Sequence, residues 1–285
     1  MPTKTEIESL LFLLEDPDPF VQDNVRSRLF ELGERAVPLL DQHKNQSVDE
    51  AEREMINEII HNITVDSFEE DFLDVLENGL SNYKQLEDAV LTLSRFDNPT
   101  IRIEEIRKKL DRYAMMIRDD IRYKMNDGDK MRRLLRFVFE DLNFKGNTKD
   151  YHNPANSYIH SVINRRLGLP ISLALVVMFI ARRLELPFYG VNMPIHFMLK
   201  YESDQQKVMI DPFDGGNIVT YDQCYYFLKK NGVTPKAEHF ERAREVDILT
   251  RSIRNLMHSY SKHDEEKRVE HLQNLLGTVE MMFDG

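Results

Sequence analysis

His196 and Asp211 are the two side chains whose positions most directly suggest chemistry. The segments 196–201 and 207–211 are rich in β-branched and aromatic residues, which predicts two short neighbouring strands. His196 begins the first strand and Asp211 ends the second, and in an antiparallel hairpin those two ends lie side by side. An imidazole beside a carboxylate can exchange a proton near neutral pH. The alternative is structural: a histidine with satisfied hydrogen bonds, and an aspartate that caps the turn at Pro212.

Cys224 is the single cysteine among 285 residues. One thiol cannot form an internal disulfide, and it cannot supply a four-cysteine zinc site or an iron–sulfur cluster. The histidines at positions 152, 160 and 196 have no spacing typical of a metal site. We therefore expect neither a resident metal nor a cofactor.

The elements that would position the His196–Asp211 pair are a helix and a small sheet. Pro170 opens an apolar helix that stops before Pro187, and three short antiparallel strands are predicted to pack on it, at 188–191, 196–201 and 207–211. An earlier helix over 155–167 is predicted to end at Gly168, since glycine accepts the left-handed conformation of a helix C-cap. Cys224 falls in a small helix after the sheet.

Helices are predicted on both sides of this core. Residues 1–80 show helical periodicity and contain an Asp-Pro-Asp-Pro turn at 16–19, typical of HEAT-like helical hairpins. Residues 226–285 contain two amphipathic stripes separated by the polar segment 262–266, which predicts one tetratricopeptide-like hairpin. The domains are thus predicted as 1–80, 81–225 for the core with its leading helices, and 226–285.

The charge of the chain argues against several classes of partner. The formal net charge is −11, and no basic stripe is present, so a duplex-DNA binder is not expected. The longest apolar stretch, 169–181, is too short to span a bilayer, and the N-terminus does not resemble a signal peptide. We predict a cytoplasmic protein without nucleic-acid or membrane partners.

Residues 130–220 contain a set of positions that together carry a family resemblance. They are Tyr151, Pro154, Asn156, Ser157, Arg165, Arg166, the Gly-Leu-Pro-Ile-Ser run at 168–172, His196, Phe197 and the Ile-Asp-Pro-Phe run at 210–213. With these residues the segment resembles the transglutaminase-like superfamily and, more narrowly, its bacterial SirB-type branch. The segments from about Gln85 to Asn143 and from Leu249 to Tyr260 fit that branch as well.

This resemblance implies an α+β fold, in which a papain/transglutaminase-like core packs a helix on a small antiparallel sheet. It also implies a cysteine thiolate at the start of that helix, a histidine base and an aspartate that orients the histidine. His196 and Asp211 match the second and third parts. The cysteine is missing, because the position that the family uses is Pro170, and Ser172 lies two residues further on.

Two functions follow as alternatives. The first is a protein-interaction or regulatory module without catalysis, since the nucleophile is absent; its partner would be a protein or a peptide. The second is a hydrolase or amidase that uses Ser172 with His196 and Asp211. A serine in the first turn of a helix more often caps the free N–H groups there, which favours the first function.

Four further residues are candidates for binding. Arg165 and Arg166 lie near a predicted helix start and could hold a carboxylate or phosphate, or could be solvated. Asn156 and Tyr151 are expected to close the loop that precedes them through side-chain hydrogen bonds. The sequence specifies neither the identity of the partner nor the oligomeric state.

Overall fold

The computed structural model describes residues 4–14, 16, 18–122 and 125–283. It has the predicted α+β architecture and forms two compact units. The first unit comprises residues 1–74 and 92–102, and the second comprises residues 75–91 and 103–285. The three-part division predicted from the sequence remains a prediction.

The first unit is helical. It contains α1 (Lys4–Leu14), α2 (Pro19–Leu32), α3 (Val37–Gln46) and most of α4 (Glu50–Glu77). α2 begins where the Asp18 carboxylate accepts the N–H of Phe20, at 2.9 Å, and it ends at Gly33, whose φ is 59°. α2 buries Val25, Leu29 and Leu32. Pro17 of the predicted turn lies outside the described residues.

The second unit holds the sheet and the remaining helices. Before the sheet lie α5 (Tyr83–Leu93), α6 (Ile103–Arg122), α7 (Asp127–Arg136), α8 (Ile159–Arg165) and α9 (Pro170–Arg183), and after it α10 (Tyr221–Lys230), α11 (Glu245–Ser261) and α12 (Glu266–Phe283). α9 is buried throughout residues 170–181, which explains why this helix is apolar on all sides. α11 and α12 pack together as the predicted C-terminal helical hairpin.

Two sheets are present in the described part of the second unit. A short parallel pair joins β1 (Lys145–Gly146) to β2 (Leu167–Gly168). The larger sheet has the order β3–β4–β5–β6, with every neighbour antiparallel. Its strands are β3 (Phe188–Val191), β4 (Met198–Glu202), β5 (Lys207–Asp211) and β6 (Asn217–Val219). β3 and β5 match the predicted strands; β4 begins two residues after His196, and β1, β2 and β6 were not predicted.

The register separates the four-stranded sheet into two faces. Phe188, Leu199, Tyr201 and Ile210 share one buried face by their pairing. Val191, Met198 and Met209 share the other face, where they pack with Cys224 and Leu228 of α10. α9 contacts β3 and β4; since α10 covers the second face, α9 covers the first.

The prediction that Gly168 caps a helix over 155–167 is wrong. α8 ends at Arg165, and the left-handed residue is Arg166, with a φ of 63°. The guanidinium of Arg166 lies 5.0 Å from the ring centroid of Tyr113 and 4.6 Å from that of Phe144, and these contacts help hold its backbone there. Gly168 is required for another reason: a Cβ at this position would lie 2.7 Å from the Ser172 hydroxyl oxygen.

Candidate functional site

His196 and Asp211 meet as the strand spacing predicts. Nε2 of His196 lies 2.8 Å from a carboxylate oxygen of Asp211, and both side chains are about four-fifths buried. A carboxylate only accepts hydrogen bonds, so Nε2 carries the proton that it donates. In the neutral ring, Nδ1 is then an acceptor, and it has no protein partner within the described part of the chain.

The Asp211 carboxylate is held in its ionised form. One of its oxygens also accepts the backbone N–H groups of Phe213, at 2.9 Å, and Asp214, at 3.2 Å. Burial by itself would raise the pKa of Asp211, but the hydrogen bond and charge of His196 and these two N–H groups outweigh it. The pKa of Asp211 is therefore below its ordinary value, and the pair is anchored on a fixed negative charge.

A strained turn delivers His196 to this carboxylate. Ile195 has a φ of +69°, and the N–H of His196 donates to the carbonyl of Pro194 at 2.8 Å. A hydrogen bond across three residues with a positive central φ defines the rarer and more strained kind of γ-turn. For an isoleucine this conformation costs about 1–2 kcal/mol. Ile195 is 53% exposed, so burial of its side chain does not account for the cost.

Arg251 of α11 fixes the same loop from the other side. Its Nη1 donates to the side-chain oxygen of Asn192 and to the carbonyl of Met193, both at 2.7 Å. Its guanidinium also lies 5.8 Å from the ring centroid of Phe197. Sequence reasoning missed this role, although Arg251 stands in the 249–260 segment that carries part of the family resemblance.

A cavity of about 150 Å³ adjoins the pair, and we call it the α10 pocket. Its wall is mainly apolar with a few polar groups, and consists of Met193, His196, Met198, Asp211, Val219, Gln223, Cys224 and Phe227. α10 is placed by a capping box: the N–H of Gln223 donates to the Thr220 hydroxyl at 3.2 Å, and the N–H of Thr220 donates to the Gln223 side chain at 2.7 Å.

Cys224 lies in the small helix predicted from the sequence, but the sequence did not predict which residues surround its thiol. The thiol is buried, and it lines the same pocket as His196 and Asp211. Burial raises the pKa of the Cys224 thiol, and the negative charge of Asp211 raises it further. Cys224 is therefore a neutral thiol at pH 7 and an unactivated part of the wall.

Ser172 is fully buried near the start of α9, and its hydroxyl is occupied. The oxygen accepts the N–H of Leu169 at 2.9 Å, and the hydroxyl lies 2.6 Å from the carbonyl oxygen of Asn156. These contacts fasten the first turn of α9 to the loop before α8. They match the capping role expected for a serine here, and α9 covers the opposite face of the sheet from α10.

Three of the four predicted binding residues, Tyr151, Asn156 and Arg165, form a structural group around Asn156. The Asn156 side chain is fully buried; its oxygen accepts from Arg165 at 3.2 Å, and its amide donates to the carbonyls of Asp150, at 2.7 Å, and Tyr151, at 3.2 Å. The loop is thus closed by Asn156, as expected, while Tyr151 contributes its carbonyl. Arg166 is stacked on aromatic rings.

The Tyr151 side chain links this loop to the site. Its ring is 5.7 Å from that of Phe213, and the ring of Phe213 is 6.3 Å from that of His196. In the described residues, no group of three or more histidine, cysteine, aspartate or glutamate side chains is placed to hold a metal ion. No helix in that part of the chain is long and apolar enough to cross a membrane.

Comparison with known proteins places these features in a family. A UPF0162 protein of Xylella fastidiosa strain Temecula1 is 35% identical over 145 residues, covering 49% of this chain and 52% of that protein. A UPF0162 protein of Vibrio cholerae is 24% identical over 170 residues, covering 59% of this chain and 63% of that protein. F-box only protein 21 of Mus musculus is 33% identical over 128 residues, which are 42% of this chain and 20% of that protein.

The match thus spans about half the length of the Xylella relative and one fifth of the mouse relative. No solved structure matches the sequence. The family model of the transglutaminase-like superfamily matches residues 104–254, which include the His196–Asp211 pair, α9 and the α10 pocket. Because that match covers more than half of the chain, this protein belongs to the transglutaminase-like superfamily.

Proposed function

We propose that this protein is a non-catalytic member of the superfamily, a protein-interaction or regulatory module that keeps the His196–Asp211 pair for binding. The observation that carries the proposal is the start of α9. Pro170 occupies the position that the family chemistry would give to the cysteine, and residues 170–172 are buried. A substrate carbonyl has no nucleophile to meet at that point.

The large contribution that a nucleophile makes to kcat, and that is missing here, supports a binding function over catalysis. Removing the nucleophile of a hydrolytic triad alone costs on the order of a million-fold in kcat. Cys224 does not replace it, because burial and the nearby Asp211 carboxylate raise the pKa of its thiol and keep it protonated. An acyl-transfer enzyme would need the opposite shift.

The serine hydrolase alternative is not favoured. The Ser172 hydroxyl already contacts the backbone of Leu169 and Asn156. To act as a nucleophile, it would have to give up these contacts and reach Nδ1 of His196, the ring nitrogen that Asp211 does not hold.

Several finer assignments belong to the same proposal. We place the protein in the SirB-type branch and in the cytoplasm. We assign partner binding to the core and to its helical flanks, the HEAT-like region 1–80 and the tetratricopeptide-like hairpin 226–285. The partner is a protein or peptide, since a net charge of −11 disfavours nucleic acid.

An activity-probe experiment tests the absence of catalysis. Wild-type protein, Ser172→Ala and His196→Ala are treated with a fluorophosphonate, which labels reactive serines, and assayed for release of ammonia from a glutamine-containing peptide. We expect no labelling at Ser172 and no ammonia above the level of the His196→Ala variant. Labelling that disappears in both variants, or ammonia release that requires His196, refutes the proposal.

A capture experiment tests the binding role. Wild type and His196→Ala are compared as baits, with His263→Ala as the matched control, because His263 is exposed in the turn between α11 and α12. We expect a defined set of partners to be lost with His196→Ala and kept with His263→Ala. Identical capture by all three baits contradicts a binding role for the pair.

A further inference from the structure

We propose that the α10 pocket holds one apolar side chain, of phenylalanine or leucine size, from an extended peptide segment of a partner that pairs with the free edge of β6. This inference rests on the proposed function and specifies its ligand. It concerns the face of the sheet covered by α10, not the start of α9, where the family nucleophile would stand.

The size and lining of the pocket select one side chain. A volume of about 150 Å³ is the size of a cavity that holds one benzene molecule, and is smaller than most sites for a complete small-molecule ligand. Met193 and Met198 form part of the wall, and flexible, polarisable methionines adapt to apolar groups of different shape. Phe227 adds an aromatic face.

The edge of the sheet beside the pocket is open to strand addition. β6 is the last strand in the order β3–β4–β5–β6, and no strand of the described residues pairs with its outer edge. Asn217 and Ile218 are exposed, whereas Val219 lines the pocket. An extended segment along this edge would place alternate side chains on opposite faces, one at the pocket and the next beside Ile218.

His196 is one of the polar residues of the pocket wall. When Nε2 of a neutral imidazole donates to Asp211, its Nδ1 is an acceptor. It therefore fits a hydrogen-bond donor such as a backbone N–H group. The strained turn at Ile195 and the hydrogen bonds of Arg251 hold this nitrogen in place before any ligand arrives, which lowers the entropic cost of binding.

The first test uses the complete protein with ¹³C-labelled methionine methyl groups. N-acetyl-phenylalaninamide is the probe, and N-acetyl-alaninamide is its matched control. We expect saturable shifts of the Met193 and Met198 methyl signals with the first compound, and at least about tenfold weaker binding of the second. Met115, which is exposed on α6, serves as an internal reference that should not shift.

Two neighbouring variants locate the binding. Val219→Phe fills the pocket from β6 and should abolish the shifts. Ile218→Phe adds the same ring on the other face of the same strand and should leave them unchanged. Unaltered spectra outside the pocket show that each variant is folded. Equal responses to the two probes, or shifts that survive Val219→Phe, overturn the pocket assignment.

Strand addition is tested with a five-residue peptide carrying a central phenylalanine between valines, acetylated and amidated at its ends. We expect it to bind at least about tenfold more tightly than N-acetyl-phenylalaninamide, and to lose that gain when its backbone amides are methylated, because methylation removes the donors of a β-ladder. Equal affinity of the methylated and unmethylated peptides overturns the pairing with β6.

These outcomes are separable from those of the proposed function. If the probe does not bind but capture of partners still depends on His196, the protein is a binding module, and the assignment of an apolar side chain to the α10 pocket is wrong. Probe binding together with His196-dependent ammonia release leaves the pocket intact and removes the non-catalytic assignment.

Discussion

Asp211→Asn tests the electrostatic basis of the site. The carboxylate accepts from His196 Nε2 at 2.8 Å and from the N–H groups of Phe213 and Asp214 at 2.9 and 3.2 Å. Hydrogen bonds to a charged group are worth about 1.5–3 kcal/mol each when lost, and asparagine keeps one acceptor oxygen while losing the charge. We expect Asp211→Asn to lower the free energy of unfolding by about 2 kcal/mol at pH 7.

The difference in the free energy of unfolding between wild type and Asp211→Asn should depend on pH in a defined direction. The folded-state pKa of Asp211 lies below its ordinary value. The ionised carboxylate therefore stabilises the fold fully above the pKa of the unfolded state, and this contribution is lost as the pH falls through the folded-state pKa. The difference between wild type and Asp211→Asn should thus be largest near neutral pH and should shrink progressively as the pH falls below about 4.

Urea unfolding followed by far-ultraviolet circular dichroism, at about pH 7 and about pH 3, measures the stability lost in Asp211→Asn and the change of that loss with pH. Asp214→Asn is the matched control, because the Asp214 side chain is exposed and accepts from the side-chain amide of Asn217, at 2.9 Å. It should change stability by less than about 0.5 kcal/mol. A loss of similar size in both variants, or an Asp211→Asn difference that is the same at both pH values, refutes the electrostatic account.

Three further predictions concern the second unit. Glu87→Ala should lower the free energy of urea unfolding by about 3 kcal/mol, because Glu87 is fully buried against Arg183, at 2.7 and 2.8 Å, and its loss leaves the buried Arg183 guanidinium paired with the exposed Asp111. The alkylation rate of Cys224 by iodoacetamide should still rise above about pH 9, because burial and the charge of Asp211 raise the pKa of its thiol. Arg251→Met should accelerate hydrogen exchange of the His196 amide by at least about tenfold, since it removes both hydrogen bonds that fix the loop.

Each of the three has a result that contradicts it. Glu104→Ala is the control for Glu87→Ala, since Glu104 contacts Arg107 from an exposed position, and equal losses in the two variants would refute a buried ion-pair network. A plateau in the Cys224 alkylation rate below about pH 9 contradicts a raised thiol pKa. Arg254→Met, on the same helix but ion-paired with Glu280, should leave the His196 amide unaffected.

The His196–Asp211 contact could be predicted because it depends on local rules. Antiparallel strands with two-residue periodicity bring the start of one strand beside the end of the next, and the short turn at 203–206 joins β4 directly to β5. The face of the sheet on which the pair lies could not be predicted, since a shift of one residue in register exchanges the two faces.

The remaining features of the site depend on how α10 and α11 are placed beside the sheet, which the strand pattern does not specify. Cys224 reaches the pocket only because the Thr220–Gln223 capping box sets the start of α10 directly after β6. Arg251 reaches the loop of His196 across 58 residues. The error at Gly168 has a related origin: glycine suits both a helix cap and a close approach, and Ser172 requires the second.

Three separate features hold one imidazole in place. The γ-turn at Ile195 stores strain, the half-buried Arg251 binds the loop, and Asp211 keeps its charge despite burial. Strain of this kind persists only where the surrounding structure determines it, and it concentrates at functional sites. A catalytic role for such a ring would require an activated nucleophile, whereas a binding role requires only a fixed acceptor beside a cavity. The first turn of α9 contains the buried Pro170 and Ser172, whose hydroxyl is already hydrogen-bonded, and the α10 pocket contains the neutral thiol of Cys224. The costs of fixing His196 are therefore better explained by ligand recognition at the α10 face than by acyl transfer at the α9 face.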